Sequence, residues 1–210
     1  MKTLSEYGFH GEKPLEEILS GSIYGCVGQA VASLTVFTHP NTAVQTRNKG
    51  IFRVRRYRAG EKRGQIIEAE RVVVCDNMST AHSFCWANNL DWKQFKECQY
   101  NHIYAKSYDP IYYTSLANIC VTPAFLGKLT DKNKNVRQLL CYRAFELYAF
   151  HPNDEPEPIK PEGYDGLKWA PPLPAILDVK GQIIRRFESH KKSRAAISKN
   201  LFGWVFDGIS

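Results

Sequence analysis

Three residues late in the chain have the types that metal-assisted hydrolysis uses. Asp165 and Asp178 lie thirteen positions apart, and Lys180 follows closely after the second acid. Two carboxylates can hold Mg²⁺ against a phosphodiester, and a nearby ammonium can orient or activate the attacking water. The second acid falls in LPAILDVKGQII, residues 173–184, whose letters also spell two strands turning at Asp178-Val179-Lys180-Gly181. Asp and Gly both favour turn positions, and Lys180 is then an exposed tip suited to a phosphate contact. A second set, His82-x2-Cys85 and Cys98-x3-His102, holds the residue types of a tetrahedral zinc site. Each pair is mixed, whereas zinc fingers pair Cys with Cys and His with His. The neighbours Phe84, Trp86 and Phe95 mark these as core cysteines. No metal or other cofactor is expected, except Mg²⁺ under the hydrolysis reading.

In order and spacing, Asp165, Asp178 and Lys180 resemble the motif of the PD-(D/E)XK nuclease superfamily over a short stretch. The resemblance implies Mg²⁺ held by the two acids and a water handled by the lysine. The chain departs from that pattern in having Tyr164 before Asp165 and Asp where Glu is commoner. The intervening GLKWAPPLP carries three prolines, poor material for a central hairpin. A nuclease with Asp165, Asp178 and Lys180 as catalytic residues is therefore the alternative reading, and the turn is the leading one. There is no GxSxG, Walker loop, HExxH or GxGxxG.

The leading functional reading rests on charge. The chain has 210 residues and a formal net charge of +7, a balance that favours a polyanionic partner. The basic residues gather at two places. Arg53, Arg55, Arg56, Arg58, Lys62 and Arg63 sit on or near FRVRRY and the turn after it, with Arg53 and Arg55 sharing a face if the strand is regular. Arg185, Arg186, Lys191 and Lys192 gather near the second GQII segment. Guanidinium groups grip phosphates bidentately, and a two-stranded ribbon fits a major groove. The competing reading is a solvated edge hairpin whose charges prevent aggregation.

The elements that must position these residues are legible in part. With 43% hydrophobic residues, 11 Phe, 11 Tyr and 4 Trp, the chain can bury a sizeable core. Leu4–Ser20 reads as a short helix, and the alternation in Ala32–Phe37 favours a strand over the buried helix that its periodicity also allows. FRVRRY and IIEAERVVVC read as the two strands of a hairpin, followed by a helix capped at Asn77 or Ser79. Asp91–Tyr104 reads as a helix or a helix passing into a strand, and Asn118–Val121 as a strand. Asn135–Phe150 is the clearest helix, with Val136, Leu139, Leu140, Leu147 and Phe150 on a stripe that Arg143 interrupts. Residues 151–174 carry seven prolines and an acidic cluster, an extended loop. Gly64-Gln65-Ile66-Ile67 recurs as Gly181-Gln182-Ile183-Ile184, each read as opening the second strand of a hairpin that leads into a helix.

These features predict an α+β fold: a mixed or antiparallel sheet of hairpin-helix units with a packed central helix. The expected division is a main domain over 1–150, a Pro-rich acidic loop over 151–174, and a C-terminal hairpin-helix element over 175–210. Met1–Gly11 is polar and charged, no apolar run approaches membrane-spanning length, and six cysteines are scattered in apolar context. A cytoplasmic protein with free thiols and no membrane contact is expected. Its partner is nucleic acid, DNA or RNA. A second alternative is a non-enzymatic subunit of a larger protein complex.

Overall fold

The computed structural model describes residues 3–8, 10–91, 96–189 and 203. The expected α+β class is what is found, with helices packed around two small sheets. The first sheet is organised by β3 (Val72–Cys75), whose Val72, Val73 and Val74 are all buried. A continuous apolar run suits a strand flanked on both edges. β1 (Val54–Arg56) pairs with it in parallel, Val54 opposite Val73, and β2 (Ile66–Ile67) pairs with its other edge in antiparallel, Ile66 opposite Val73. FRVRRY therefore does not form a hairpin with IIEAERVVVC, as the alternation predicts. The hairpin is β2–β3, turned at Glu68–Arg71 with Arg71 left-handed at φ 53°. β1 lies beyond β3, and residues 57–71 supply the long crossover that a parallel pair requires.

The second sheet joins β4 (Cys98–His102) to β5 (Ile119–Pro123) in antiparallel register, from Cys98–Pro123 to His102–Ile119. On the far side of β5, Val36 forms an isolated bridge to Val121. That bridge is all that remains of the strand expected over Ala32–Phe37. The preceding residues instead form helix α2 (Val27–Leu34), after α1 (Glu12–Ser20). The Cys26 sulfur accepts from the Gln29 amide at its start, and the Thr35 hydroxyl donates to the Val31 carbonyl at its end. Small residues make the helix possible here. A Cβ on Gly28 would already touch Leu139 at 3.5 Å. After a short turn α3 (Pro40–Ala43), the remaining helices are α4 (Met78–Ala87), α5 (Ala124–Lys132), α6 (Lys134–Tyr148) and α7 (Val179–Ser189).

The central helix α6 appears as predicted, capped by the Asn133 side chain accepting from the Val136 amide at 3.0 Å. Val136, Leu139, Leu140 and Ala144 are buried in the core shared with α2, α5 and β5. Arg143 breaks the stripe because its guanidinium lies 5.1 Å over the Trp169 ring and pairs with Glu146.

The expected C-terminal hairpin is not formed. Residues 179–189 are helix α7 instead, and Val179, Ile183 and Phe187 recur at helical spacing on the face that packs into the core of β1, β3 and α4. The hairpin-helix repeat inferred from GQII falls with it: the same four letters are strand β2 in one place and helix in the other. The expected helix from about Ser193, together with Lys191 and Lys192, lies outside the described residues.

Residues 151–174 are extended, as their prolines require, but they are tied down along the main body. Ala170 donates to the Ala32 carbonyl and Leu173 to the Phe37 carbonyl, both at 2.9 Å. Lys168 donates to Gln29 Oε1, and Trp169 meets Phe37 edge to face. Trp169 is the aromatic anchor of this strap beside those hydrogen bonds. Trp169→Ala is expected to cost about 3 kcal/mol of stability and to make residues 151–174 the first site of limited proteolysis. Unchanged melting and cleavage would show that the strap does not depend on it.

Candidate nucleic-acid interface

Of the two arginines expected to share a solvent face, Arg55 is buried, only 1% exposed. Its Nη1 and Nη2 donate to the two carboxylate oxygens of Glu61 at 2.8 Å, and its Nε to Glu70 at 2.9 Å. A guanidinium fits a carboxylate as a planar fork, so the Glu61 pair is bidentate. Arg55 holds the Glu61 carboxyl down at about 2, against an ordinary 4.5, aided by the Arg58 amide. Arg55 is thus structural and unavailable to a phosphate, a correction to its assignment as a binding residue. The signal in the sequence was the two acids in the adjacent turns, Glu61 in RAGEKRG and Glu70 in EAER.

The other expected cations divide. Arg53 is half-buried. Arg63 pairs with Asp76 at 2.6 Å, and Arg185 lies 3.6 Å from Asp178. Arg186 donates to Asn89 Oδ1. Arg56, Arg58 and Lys62 are exposed and, among the described residues, have no carboxylate partner; Arg58 lies 5.7 Å over the Tyr108 ring. The two basic clusters are therefore not matching ribbons. One is an edge strand with its crossover, and the other begins on a helix.

Arg56 opens onto a groove beside β4. A cavity of about 670 Å³ is lined by Arg56, Tyr57, Met78, Lys96 and Tyr100 among others. It shares Arg56, Asn77, Gln99 and Tyr100 with a second cavity of about 230 Å³, which runs on past His102 to Asp131 and Arg137. Lys96 and Arg137 lie outside the two basic clusters read from the sequence, although Arg137 follows Lys132 and Lys134. Three features mark the smaller cavity as polar by construction. His102 Nε2 lies 2.8 Å from the Tyr113 carbonyl, and a carbonyl only accepts, so Nε2 carries the hydrogen and Nδ1 is left as an acceptor. Burial pushes the imidazole below its ordinary value, and Arg56 acts in the same direction, so it is neutral at pH 7. Asn101, 3% exposed, donates from Nδ2 to the Gln99 carbonyl and the Thr122 hydroxyl, while its Oδ1 accepts nothing. An unmet buried acceptor costs about 1–3 kcal/mol.

The acids of the hydrolysis reading are engaged on two different elements. Asp165 sits in the 3-10 turn Tyr164–Gly166 and pairs with Lys160 at 2.5 Å. Asp178 stands at the start of α7, where its Oδ1 accepts from the Gly181 amide at 2.8 Å and its carbonyl from the Gln182 amide. That is an N-cap, neither a hairpin turn nor a metal ligand in this arrangement. Lys180 falls in the first turn of the same helix. Of the zinc-type set, the Cys85 sulfur lies 3.0 Å from the Tyr100 hydroxyl, and His82 stacks on Trp86. Among the described residues no group of three or more His, Cys, Asp or Glu is placed to hold a metal ion, and no helix is long and apolar enough to cross a membrane.

No family model matches the chain, and neither does any curated protein or solved structure.

Adjacent arginines should separate cleanly. Arg55→Ala is expected to cost about 3 kcal/mol, the low end for a broken buried pair because Glu70 is partly open to water, while Arg56→Ala stays within about 0.5 kcal/mol. The lowered Glu61 value makes its contribution fully present above pH 4.5 and lost as pH falls towards about 2. Urea melts over that range should show a stability slope that Glu61→Gln reduces. At Asp178, Asn is as good a cap as Asp, so Asp178→Asn should melt within about 0.5 kcal/mol of the parent and Asp178→Ala about 1 kcal/mol below it. Equal losses in both variants would mean that the carboxylate charge matters for something other than capping.

Proposed function

We propose that the protein binds single-stranded nucleic acid along the groove beside β4. The observation that carries this reading is a lining in which Arg56, Lys96 and Arg137 outnumber Asp76 and Asp131, beside the ring of Tyr57. Tyr57 is 47% exposed. Single-strand binding needs cations that track the backbone and rings on which bases stack, and it tolerates any sequence because every base has a π-face. Arg58 and Lys62, both exposed, extend the positive surface beyond the groove. The duplex-reading ribbon expected from the sequence has weaker support, since Arg55 is consumed by Glu61 and Glu70.

Fluorescence anisotropy with labelled RNA and DNA oligonucleotides, single- and double-stranded, tests the reading. Single strands should bind tighter than duplexes, with affinity falling as salt rises by about 0.7 log units per tenfold for each phosphate contacted. Arg56→Glu should weaken binding and flatten that slope, and Arg55→Met, in a variant shown to be folded, should change neither. Absence of single-strand binding at low salt would sink the proposal. Adding Mg²⁺ to the same samples and running them on a gel shows whether the oligonucleotide is also cut.

A further inference from the structure

The smaller cavity has a composition that the groove alone does not explain. Its walls come from four places in the chain: Arg56 on β1, Thr80 on α4, Asn101 and His102 on β4, and Asp131 and Arg137 at the α5–α6 junction. Arg56 and Arg137 line it with one carboxylate, Asp131, a net positive lining. Neither arginine has an ion-pair partner among the described residues. Behind them stands a neutral imidazole whose Nε2–H is committed to Tyr113 and whose Nδ1 meets no donor among the described residues. A backbone groove needs only cations and rings. A pocket that adds fixed acceptors beside paired arginines selects a ligand carrying both an anion and hydrogen-bond donors.

Size narrows the class. At about 230 Å³ the cavity falls below the roughly 300–1,000 Å³ that enclose a drug-sized ligand, so it has room for a phosphate and its sugar but not for the base as well. Because it opens into the larger cavity through Arg56, Asn77, Gln99 and Tyr100, a ligand seated in it can continue outward. We propose that this cavity is the binding site for the phosphate and sugar of a single nucleotide, the phosphate held between Arg56 and Arg137 and a ribose hydroxyl donating to His102 Nδ1. This deepens the single-strand reading and rests on it for the continuation of the chain into the groove. Asp131, unfavourable to phosphate, is suited to accept from the remaining hydroxyl donors.

Calorimetric titration of the full chain with the four nucleoside 5′-monophosphates tests it, with inorganic phosphate and the matching nucleosides as comparisons and an oligonucleotide titrated in parallel. At least one nucleotide should bind ten-fold or more tightly than phosphate or its nucleoside. It should displace the oligonucleotide and shift the His102 ring signals in NMR. Arg137→Gln, an exposed substitution, should reduce nucleotide affinity at least ten-fold with the fold intact. If nucleotides fail to bind while the oligonucleotide does, the cavity is not a nucleotide site and the groove reading stands. If phosphate matches the nucleotide, the site recognises an anion alone and the proposal is overturned, as it is if Arg137→Gln has no effect. Nucleotide binding without oligonucleotide binding would keep this site and remove the groove reading; failure of both removes both.

Discussion

A guanidinium withdrawn from water must be met by carboxylates, and at Arg55 that requirement organises the first sheet. Arg55 is on β1, Glu61 in the crossover and Glu70 in the turn between β2 and β3. One side chain thus ties β1 to the crossover and to the turn between β2 and β3, and it does so from the edge strand. With Arg55 facing inward, the pleat of β1 gives Arg56 to the opposite side, where it lines the groove. The residue that could not serve a ligand fixes the one that can. Burying such a pair is seldom the most stable solution available to a core.

The rest of the groove depends on commitments made one layer further back. β4 is placed by its pairing with β5, and β5 by the core of α2, α5 and α6. His102 is stacked on Tyr113, whose hydroxyl donates in turn to the Asp76 carbonyl at the end of β3. The two sheets are therefore coupled through aromatic side chains at the place where the cavities lie.

The sequence shows the strongest local signals and loses those that tertiary contacts decide. The α6 stripe and the extended prolines of 151–174 are legible because periodicity and missing N–H groups act locally. The strand order β1–β3–β2 is not, because an apolar VVVC run states that a strand is buried without stating which neighbours bury it. Gly-Gln-Ile-Ile shows the limit most plainly. Gly64 adopts φ +85° before β2, whereas Gly181 is the third residue of α7, directly over the Asp178 cap, where a Cβ would collide with that carboxylate. What differs is outside the tetrapeptide: Asp178 three residues before one copy, and Phe187 continuing its apolar face. For the candidate site, Arg56 was visible in the basic run. Arg137 was not, and His102 stood out only beside Cys98 as a zinc-type pair, because nothing in the linear chain shows that the α6 start and β4 face the same space.

The strap of residues 151–174 has one more effect. Beyond β5 the second sheet ends in Val36, a short stretch of backbone with an outward edge. Leu173 takes the neighbouring Phe37 carbonyl, while Pro171, Pro172 and Pro174 on either side have no N–H to offer a further strand. The sheet is thus terminated by chain that can accept one rung of a ladder but cannot template the next. A second copy of the protein finds no free edge there to extend, which keeps strand pairing on this side within the molecule.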